Sequence, residues 1–296
     1  MARRVSLGLL FLLTHLSGRA ALAQSQPTQL LHEVVLEVTS VEDSSEYLVY
    51  RYRLVNSASS RSGVASIDLD LSAPQGTGIV MLPSKGHYID GARNGVGRVR
   101  DHVPMGIINP EGWDAGLLRN ATLTWMSSQG YYIPNTTGVP FTNDSVPPGG
   151  FKEGFGLRSP FLPGVREFDA EPTLTSCCSH PEPGSNEYPS PLAFRVTSLT
   201  VAPSVRPQDM RLNVLQDDLE KACSLHWITE LAVCSSLLAS LERILDVRAR
   251  GDAPTTRDRL NAWIAELESQ HGVGKPVNEN AYWLLKVNAE YLAIHH

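Results

Sequence analysis

Two cysteines frame the stretch whose residue types could carry the most chemistry. In CSLHWITELAVC, Cys223 and Cys234 enclose His226. A zinc site would need a fourth ligand such as His295 or His296. Cys-x₂-His with a cysteine eight residues later is also a poor match to structural zinc spacing. A redox pair would normally be Cys-x-x-Cys. We therefore predict a disulfide between these cysteines and no metal.

The feasibility of this disulfide depends on where a helix begins. In a continuous helix over 223–234 the two Cα atoms would lie about 16 Å apart, whereas a disulfide needs less than about 7 Å. Thr229 is a suitable N-cap. We predict that the helix begins there and that Cys223 lies in a loop folded back over the first turn. Closing this loop would contribute roughly 3 kcal/mol of stability.

The other two cysteines, Cys177 and Cys178, are adjacent. Four cysteines allow three pairings. If Cys223 pairs with Cys234, the adjacent cysteines either form a strained vicinal disulfide, which would be redox-labile, or stay reduced. In the alternative pairing, both reach across to Cys223 and Cys234 and join the two halves of the chain.

Carboxylates are the remaining candidates for chemistry. Asp68 and Asp70 alternate in SIDLDLS, so a strand would place both on its solvent face. The pair could bind calcium or flank a glycosidic bond, with Glu153 or Asp169 as further acids elsewhere, but a solvated strand face is the favoured explanation of Asp68 and Asp70. The chain has no Gly-x-Ser-x-Gly elbow and no glycine-rich phosphate loop that opens a helix. We assign no catalytic residue.

The elements that would position these residues differ between the two halves of the chain. LLHEVVLEVTS, EYLVYRYRLVN and GVASIDLDLS are rich in β-branched and aromatic residues and are bounded by polar or glycine-rich segments. Tyr50 and Tyr52 share one face of their strand while Arg51 and Arg53 share the other, as in half-buried antiparallel sheets. We predict an antiparallel β-sandwich over 24–205.

After residue 205, Leu, Ala and Glu recur with a period of 3.6 residues. We predict a linker or short connecting helix over 206–222, then an all-α three-helix bundle over 223–296. The second of its helices would begin at Asp252 or Thr255, and Asn278 would cap the third. The predicted core faces are Leu231, Cys234, Leu238, Leu241 and Leu245; Leu260, Trp263, Ile264 and Leu267; and Ala281, Leu284, Leu285, Asn288 and Leu292.

Both halves resemble bacterial exported proteins. WITELAVCSSLLASLERI, ARGDAPTTRDRLNAWIAELESQHG and VNENAYWLLKVNAEYLAI resemble the FIMAH domain, a helical module of secreted and surface proteins. That resemblance covers about residues 223–294 and implies an accessory module without catalytic residues. EGWDAGLL, ATLTWMSS and VPPGGFKEGFGLRSPFLPGVREF more loosely resemble uncharacterised exported β-sandwich domains, which implies architecture and no activity.

The last predicted helix carries an interaction signal. Beside its core face lies a second apolar stripe, formed by Trp283, Val287, Tyr291 and Ile294. A helix that is apolar on two sides is usually buried on two sides, so the stripe either docks within the monomer or forms a partner-binding face. Complete burial of Trp283 in the monomer would exclude the partner face.

The first 23 residues have the parts of a secretory signal peptide, namely an Arg3-Arg4 pair, an apolar run and Ala21-Leu22-Ala23. The formal net charge of −6 and the lack of a basic cluster disfavour nucleic acid and anionic membranes as partners. No later segment reaches the roughly 20 apolar residues of a transmembrane helix.

We predict a non-catalytic bacterial protein, periplasmic or secreted, that binds an unassigned protein or glycan. It would use no cofactor, bind no nucleic acid and have no transmembrane anchor. The competing prediction is a carbohydrate-active hydrolase with acidic residues at the edge of the sandwich.

Overall fold

A computed structural model describes residues 29–44, 46–72, 106–118, 121–127, 144–173 and 194–295. The predicted signal peptide lies outside the described residues. Cys177 and Cys178, with their predicted vicinal disulfide, also lie outside them.

The described part of the chain between 29 and 205 forms nine strands in two antiparallel sheets. The strands are β1 (Val34–Ser44), β2 (Tyr47–Asn56), β3 (Val64–Asp70), β4 (Ile107–Ile108), β5 (Trp113–Leu117), β6 (Thr122–Ser127), β7 (Phe151–Ser159), β8 (Leu162–Pro172) and β9 (Val196–Val205). The four-stranded sheet has the order β1-β2-β7-β4, and the five-stranded sheet has the order β5-β6-β3-β8-β9.

The two sheets pack against each other through an aromatic core. Trp125 on β6 and Phe155 on β7 belong to different sheets, and their ring centroids lie 5.7 Å apart. The rings of Trp113 and the same Phe155 meet edge to face, with their centroids 5.0 Å apart. Tyr50 and Tyr52 point into this core, as their alternation with Arg51 and Arg53 predicted. The arrangement agrees with a β-sandwich.

The two core tyrosines differ in their hydrogen bonding. The Tyr50 hydroxyl donates to the Phe161 carbonyl at 2.8 Å, whereas the buried Tyr52 hydroxyl has no partner among the described residues. Replacing Tyr50 by Phe leaves a carbonyl unpaired and is expected to lower the free energy of unfolding by about 1 kcal/mol. Tyr52→Phe removes an unpaired group, so it is expected to leave stability unchanged or raise it. Urea unfolding of both variants tests this, and an equal loss in both would contradict it.

Beyond the three helices predicted over 223–296, a fourth lies mainly in the segment predicted as a linker or short connecting helix, so the described residues after 205 form four helices. They are α1 (Leu212–Ser224), α2 (Leu231–Ala249), α3 (Ala253–Ser269) and α4 (Glu279–His295). The predicted linker 206–222 contains a 3₁₀ turn at Pro207–Asp209 and most of α1. This helix forms because Leu212, Leu215, Leu219 and Ala222 recur at helical spacing and are all buried.

The start of α2 also differs from the prediction. The residue before this helix is Glu230, and it makes no side-chain capping bond. Thr229 instead bonds to the Pro276 carbonyl through its N–H at 2.9 Å and its hydroxyl at 3.3 Å. The buried face of α2 is correspondingly rotated, and Leu231 is 81% exposed. That face consists of Cys234, Leu237, Leu241, Ile244 and Val247.

The predictions for α3 and α4 agree with the structure. Asp252 caps α3 by accepting a bond from the Thr255 N–H at 3.1 Å. The Asn278 side chain accepts a bond from the Ala281 N–H at 3.0 Å at the start of α4. Every residue of both predicted core faces is buried.

Helix α4 packs against the β region as well as against the other helices. The Asn280 side chain accepts a bond from the Val38 N–H at 2.8 Å, and β1 is an edge strand of its sheet. The Thr200 hydroxyl of β9 donates to the Leu36 carbonyl, which also lies on β1. These two bonds satisfy edge groups that would otherwise be open to pairing with another chain. None of the described helices is long and apolar enough to cross a membrane.

Candidate functional site

The predicted cysteine pair joins two helices. The sulfur atoms of Cys223 and Cys234 lie 2.18 Å apart, at bonding distance, and their Cα atoms are 6.0 Å apart. Cys223 lies in the last turn of α1 rather than in a loop, and Cys234 lies in the first turn of α2. The chain reverses between them with His226 at a φ of 57°. This break between helices brings the two Cα atoms together.

The same geometry bears on the zinc alternative. Sulfur atoms joined to each other are not available as thiolate ligands. His226 is exposed in the turn between α1 and α2. The part of the chain that the structure describes holds no group of three or more His, Cys, Asp or Glu residues placed to bind a metal ion.

The structure gathers acidic side chains on the outer face of the five-stranded sheet. Asp68 on β3 and Asp169 on β8 are directly paired across the strands, and Glu171 lies two residues further along β8. All three bind one guanidinium, that of Arg195, at 3.0, 2.9 and 2.5 Å respectively. We call these four residues the carboxylate cluster.

Two predicted acids do not join the carboxylate cluster. The Asp70 carboxylate lies 3.5 Å from the Arg166 guanidinium. Glu153 lies on the other sheet, where its carboxylate is 3.9 Å from Arg53. Sequence reasoning also missed Glu171 and Arg195. FDAEP offered a signal for Glu171, because Asp169 and Glu171 alternate as Asp68 and Asp70 do, whereas no local pattern marks Arg195 as their partner.

The carboxylate cluster is held together electrostatically. Burial raises the pKa of Asp68, while a bond from the Thr124 hydroxyl and the charge of Arg195 oppose that rise. The Thr124 bond is 2.6 Å long, and Thr197 donates to Asp169 at 2.5 Å. Asp68 and Asp169 thus have hydroxyl partners on neighbouring strands, and Arg195, which directly precedes β9, binds all three carboxylates. The cluster therefore ties β3, β6, β8 and the start of β9 together.

A groove of about 640 Å³ lies between the end of the β1–β2 hairpin and the C-terminal half of α4. Its apolar surface includes the buried side chains of Val41, Leu162 and Val287. Tyr47 and Tyr291 add aromatic walls. We call this cavity the groove. It is a concave, largely apolar surface of the kind that binds ligands in other proteins.

The charged residues of the groove are mainly acidic. Asp43 and Glu46 lie on the hairpin and Glu290 on α4, whereas Arg257 of α3 supplies a single guanidinium. The groove also contains His295, whose ring stacks on the Tyr291 ring with centroids 4.1 Å apart. The groove therefore presents three carboxylates and one guanidinium around apolar walls.

Three residues of the predicted partner stripe line this groove. Val287 is 8% exposed and Ile294 is 77% exposed, with Tyr291 between them in exposure. Trp283 lies outside the groove and is only partly buried, and its indole N–H donates to Glu279 at 3.2 Å. Trp283 is therefore not fully covered within the monomer, and the stripe is neither wholly buried nor wholly free.

The fold and the groove define a class: an antiparallel two-sheet β protein whose helical region packs on an edge of the sheets and forms a groove with it. No protein-family model matches the chain, and no curated protein or solved structure is significantly similar to it.

Proposed function

We propose that this is a non-catalytic binding protein of the bacterial envelope or extracellular space and that the groove is its binding site. The observation that carries the proposal is the groove itself, about 640 Å³ with Ile294 exposed on its wall. A concave, largely apolar groove with a few polar groups on its walls is the default candidate for a binding site.

The chemistry of the groove favours a protein segment as its ligand. Apolar walls suit an aliphatic or aromatic side chain, and Asp43, Glu46 and Glu290 outnumber the single cation Arg257. Complementary charge steers encounter and sets orientation at such surfaces. The proposed partner therefore presents Leu or Phe flanked by Lys or Arg.

The ion pairing of the acidic residues in the carboxylate cluster favours a binding function over a hydrolytic one. A glycosidase needs one carboxylic acid and one carboxylate free to reach opposite sides of a glycosidic bond. In the carboxylate cluster, Arg195 binds Asp68, Asp169 and Glu171 at once. That arrangement holds the acids to each other rather than to a substrate.

The proposal includes export and an accessory helical module. The N-terminal sequence pattern supports export, and disulfides such as Cys223–Cys234 persist in oxidising compartments. The helices α2, α3 and α4 overlap the three segments that resemble the FIMAH domain. We propose that residues 223–296 form such a module, with α1 added to it.

Peptide binding measured by fluorescence anisotropy tests the groove. The probes are a labelled Lys-Leu-Lys-Phe-Lys-Leu peptide and its counterpart with Glu in place of Lys. We expect the cationic peptide to bind at least about tenfold more tightly, with an affinity that falls as salt rises. Glu290→Lys and Ile294→Asp should weaken binding, because they remove a carboxylate and an apolar wall.

Matched controls lie outside the groove. Glu242→Lys changes an exposed acid on α2, and Val273→Asp changes a side chain that is fully exposed in the turn between α3 and α4. Neither should alter the affinity for the cationic peptide. Equal binding of the two peptides, or equal losses in groove and control variants, would count against the proposal.

Photo-crosslinking then identifies the natural partner. A benzophenone amino acid at Ile294 should yield an adduct with envelope or secreted proteins that is lost when the cationic peptide competes. The same amino acid at Val273 should yield none. Adducts at both positions, or an adduct that the peptide does not displace, would indicate incidental contact and would count against binding in the groove.

A further inference from the structure

A buried amide lies where the helical region meets the β region. Asn288 of α4 is fully buried. Its side-chain nitrogen donates to the Pro163 carbonyl on β8 at 3.1 Å and to the Asp218 carboxyl of α1 at 2.9 Å. Both N–H groups are therefore used. The amide oxygen is also buried, yet it has no hydrogen-bond partner among the described residues.

The unpaired oxygen belongs to an amide that is bonded to the Asp218 carboxyl group, and a proton on that carboxyl group would supply the missing donor. Leaving such an acceptor without a donor costs about 1–3 kcal/mol. The Asp218 carboxyl is already bonded to the same amide through one oxygen. A carboxylic acid and an amide can form two hydrogen bonds to each other, with the amide N–H donating to the acid carbonyl and the acid O–H donating to the amide oxygen.

The surroundings of Asp218 favour its neutral form. The charge that acts on its carboxyl is that of Asp217 on the same helix. From α4 it meets the uncharged Asn288, and from β8 the site receives only the Pro163 carbonyl. Helix α2 also packs on α1, but among the described residues it places no charge that acts on this carboxyl. Burial, aided by Asp217, raises the pKa of Asp218 to about 7, against the opposing bond from Asn288.

We propose that protonated Asp218 and Asn288 form an acid–amide pair that fastens α1 and α4 to β8 and is released by loss of one proton. In the protonated state the Asp218 O–H donates to the orphaned Asn288 oxygen, and every polar group of the pair is satisfied. When the proton leaves to solvent, a carboxylate and an amide oxygen face each other without a hydrogen between them.

The pair lies beside the groove. Val287 and Leu162, which line the groove, are the chain neighbours of Asn288 and Pro163. Loosening of the pair is therefore expected to act on the groove as well. The acid–amide pair does not depend on the proposed binding function, because its evidence is the Asn288 amide and its bonds to Pro163 and Asp218.

The pH dependence of stability tests the pair in the full chain. The folded-state pKa of Asp218 is raised from 3.8 to about 7, so the folded state holds a proton that the unfolded state has lost. Stability must then fall as pH rises through this window. We expect the urea midpoint of the wild-type protein to fall between pH 5 and pH 8, and that of Asp218→Asn to lose most of this fall. Asp217→Asn, on the same helix, should keep it.

A second comparison separates hydrogen bonding from relief of charge. Asp218→Asn supplies an N–H that can donate to the Asn288 oxygen, whereas Asp218→Leu removes the charge but cannot donate. At pH 8 the Asn variant should have the higher urea midpoint. Equal midpoints for the two variants, or an unchanged pH dependence in Asp218→Asn, would overturn the pair.

The wild-type protein offers a direct measurement that needs no variant. The carboxyl ¹³C resonance of Asp218, assigned by its loss in Asp218→Asn, should titrate near neutral pH. A resonance already in its ionised position at pH 5 would overturn the proposal.

Discussion

Loss of the Cys223–Cys234 bond is expected to lower the free energy of unfolding by about 3 kcal/mol. The two cysteines are 11 residues apart in sequence, and the bond restricts the unfolded chain by closing this loop. It also holds the last turn of α1 against the first turn of α2. Urea unfolding of the protein with Cys223 and Cys234 both replaced by Ala measures the effect.

Reductant alone would not isolate this bond, because it would also act on any disulfide formed by Cys177 or Cys178. The double variant should therefore be compared with a second one in which those two cysteines are replaced instead. Peptide mapping of the non-reduced protein should find Cys223 joined to Cys234. Rapid alkylation of both thiols in the native protein would contradict the bond and reopen the question of a metal site.

Replacing Arg195 by Met is expected to lower the free energy of unfolding by about 2 kcal/mol at pH 7. Removing one partner of a buried ion pair costs about 3–5 kcal/mol, and we reduce this figure because the Arg195 side chain is 27% exposed and solvent screens its charge. The variant leaves Asp68, Asp169 and Glu171 together without their cation.

The deficit of the Arg195→Met variant should depend on pH. The charge of Arg195 lowers the pKa of Asp68 against the effect of burial, so its loss raises the folded-state pKa of that carboxyl further. A folded state that binds protons more readily gains stability as pH falls. The deficit should therefore be largest at neutral pH and shrink as the pH approaches 4.

A second substitution provides the control for this cluster. Combining Arg195→Met with Asp68→Asn removes one of the stranded charges and should recover part of the lost stability at pH 7. Chemical denaturation of the single and double variants gives their coupling. If Arg195→Met differs from the wild-type protein by less than about 0.5 kcal/mol, the cluster is an ordinary exposed ion pair.

The apolar spacing of the helical region predicts the buried faces of α3 and α4 correctly and that of α2 incorrectly. The faces of α3 and α4 followed from spacing alone, since residues three or four apart on a helix share one side. Asp252, one of two predicted starts of α3, and Asn278 are residue types that cap helices, and in the structure each accepts a bond from the N–H three residues later. The same logic failed for α2, where Thr229 bonds to Pro276 instead.

The sequence alone leaves residues 206–222 open between a linker and a short connecting helix, although the apolar spacing is regular, and α1 occupies most of this segment. Arg211, the residue before it, makes no side-chain capping bond, and much of the helix is polar. Its identity as a helix depends on burial of Leu215 and Leu219 against other elements. A short helix of this kind is stabilised mainly by tertiary packing rather than by its own propensity.

The sequence by itself determined the local alternation of the strands, the faces of α3 and α4 and the plausibility of the Cys223–Cys234 bond. These features depend on neighbours within about a dozen residues. Only the tertiary structure decided the partners of the charged and polar groups. Arg195 meets Asp68 across 127 residues, and Asn288 meets Asp218 across 70. Such contacts are set by how sheets and helices pack, because no local periodicity links residues so far apart.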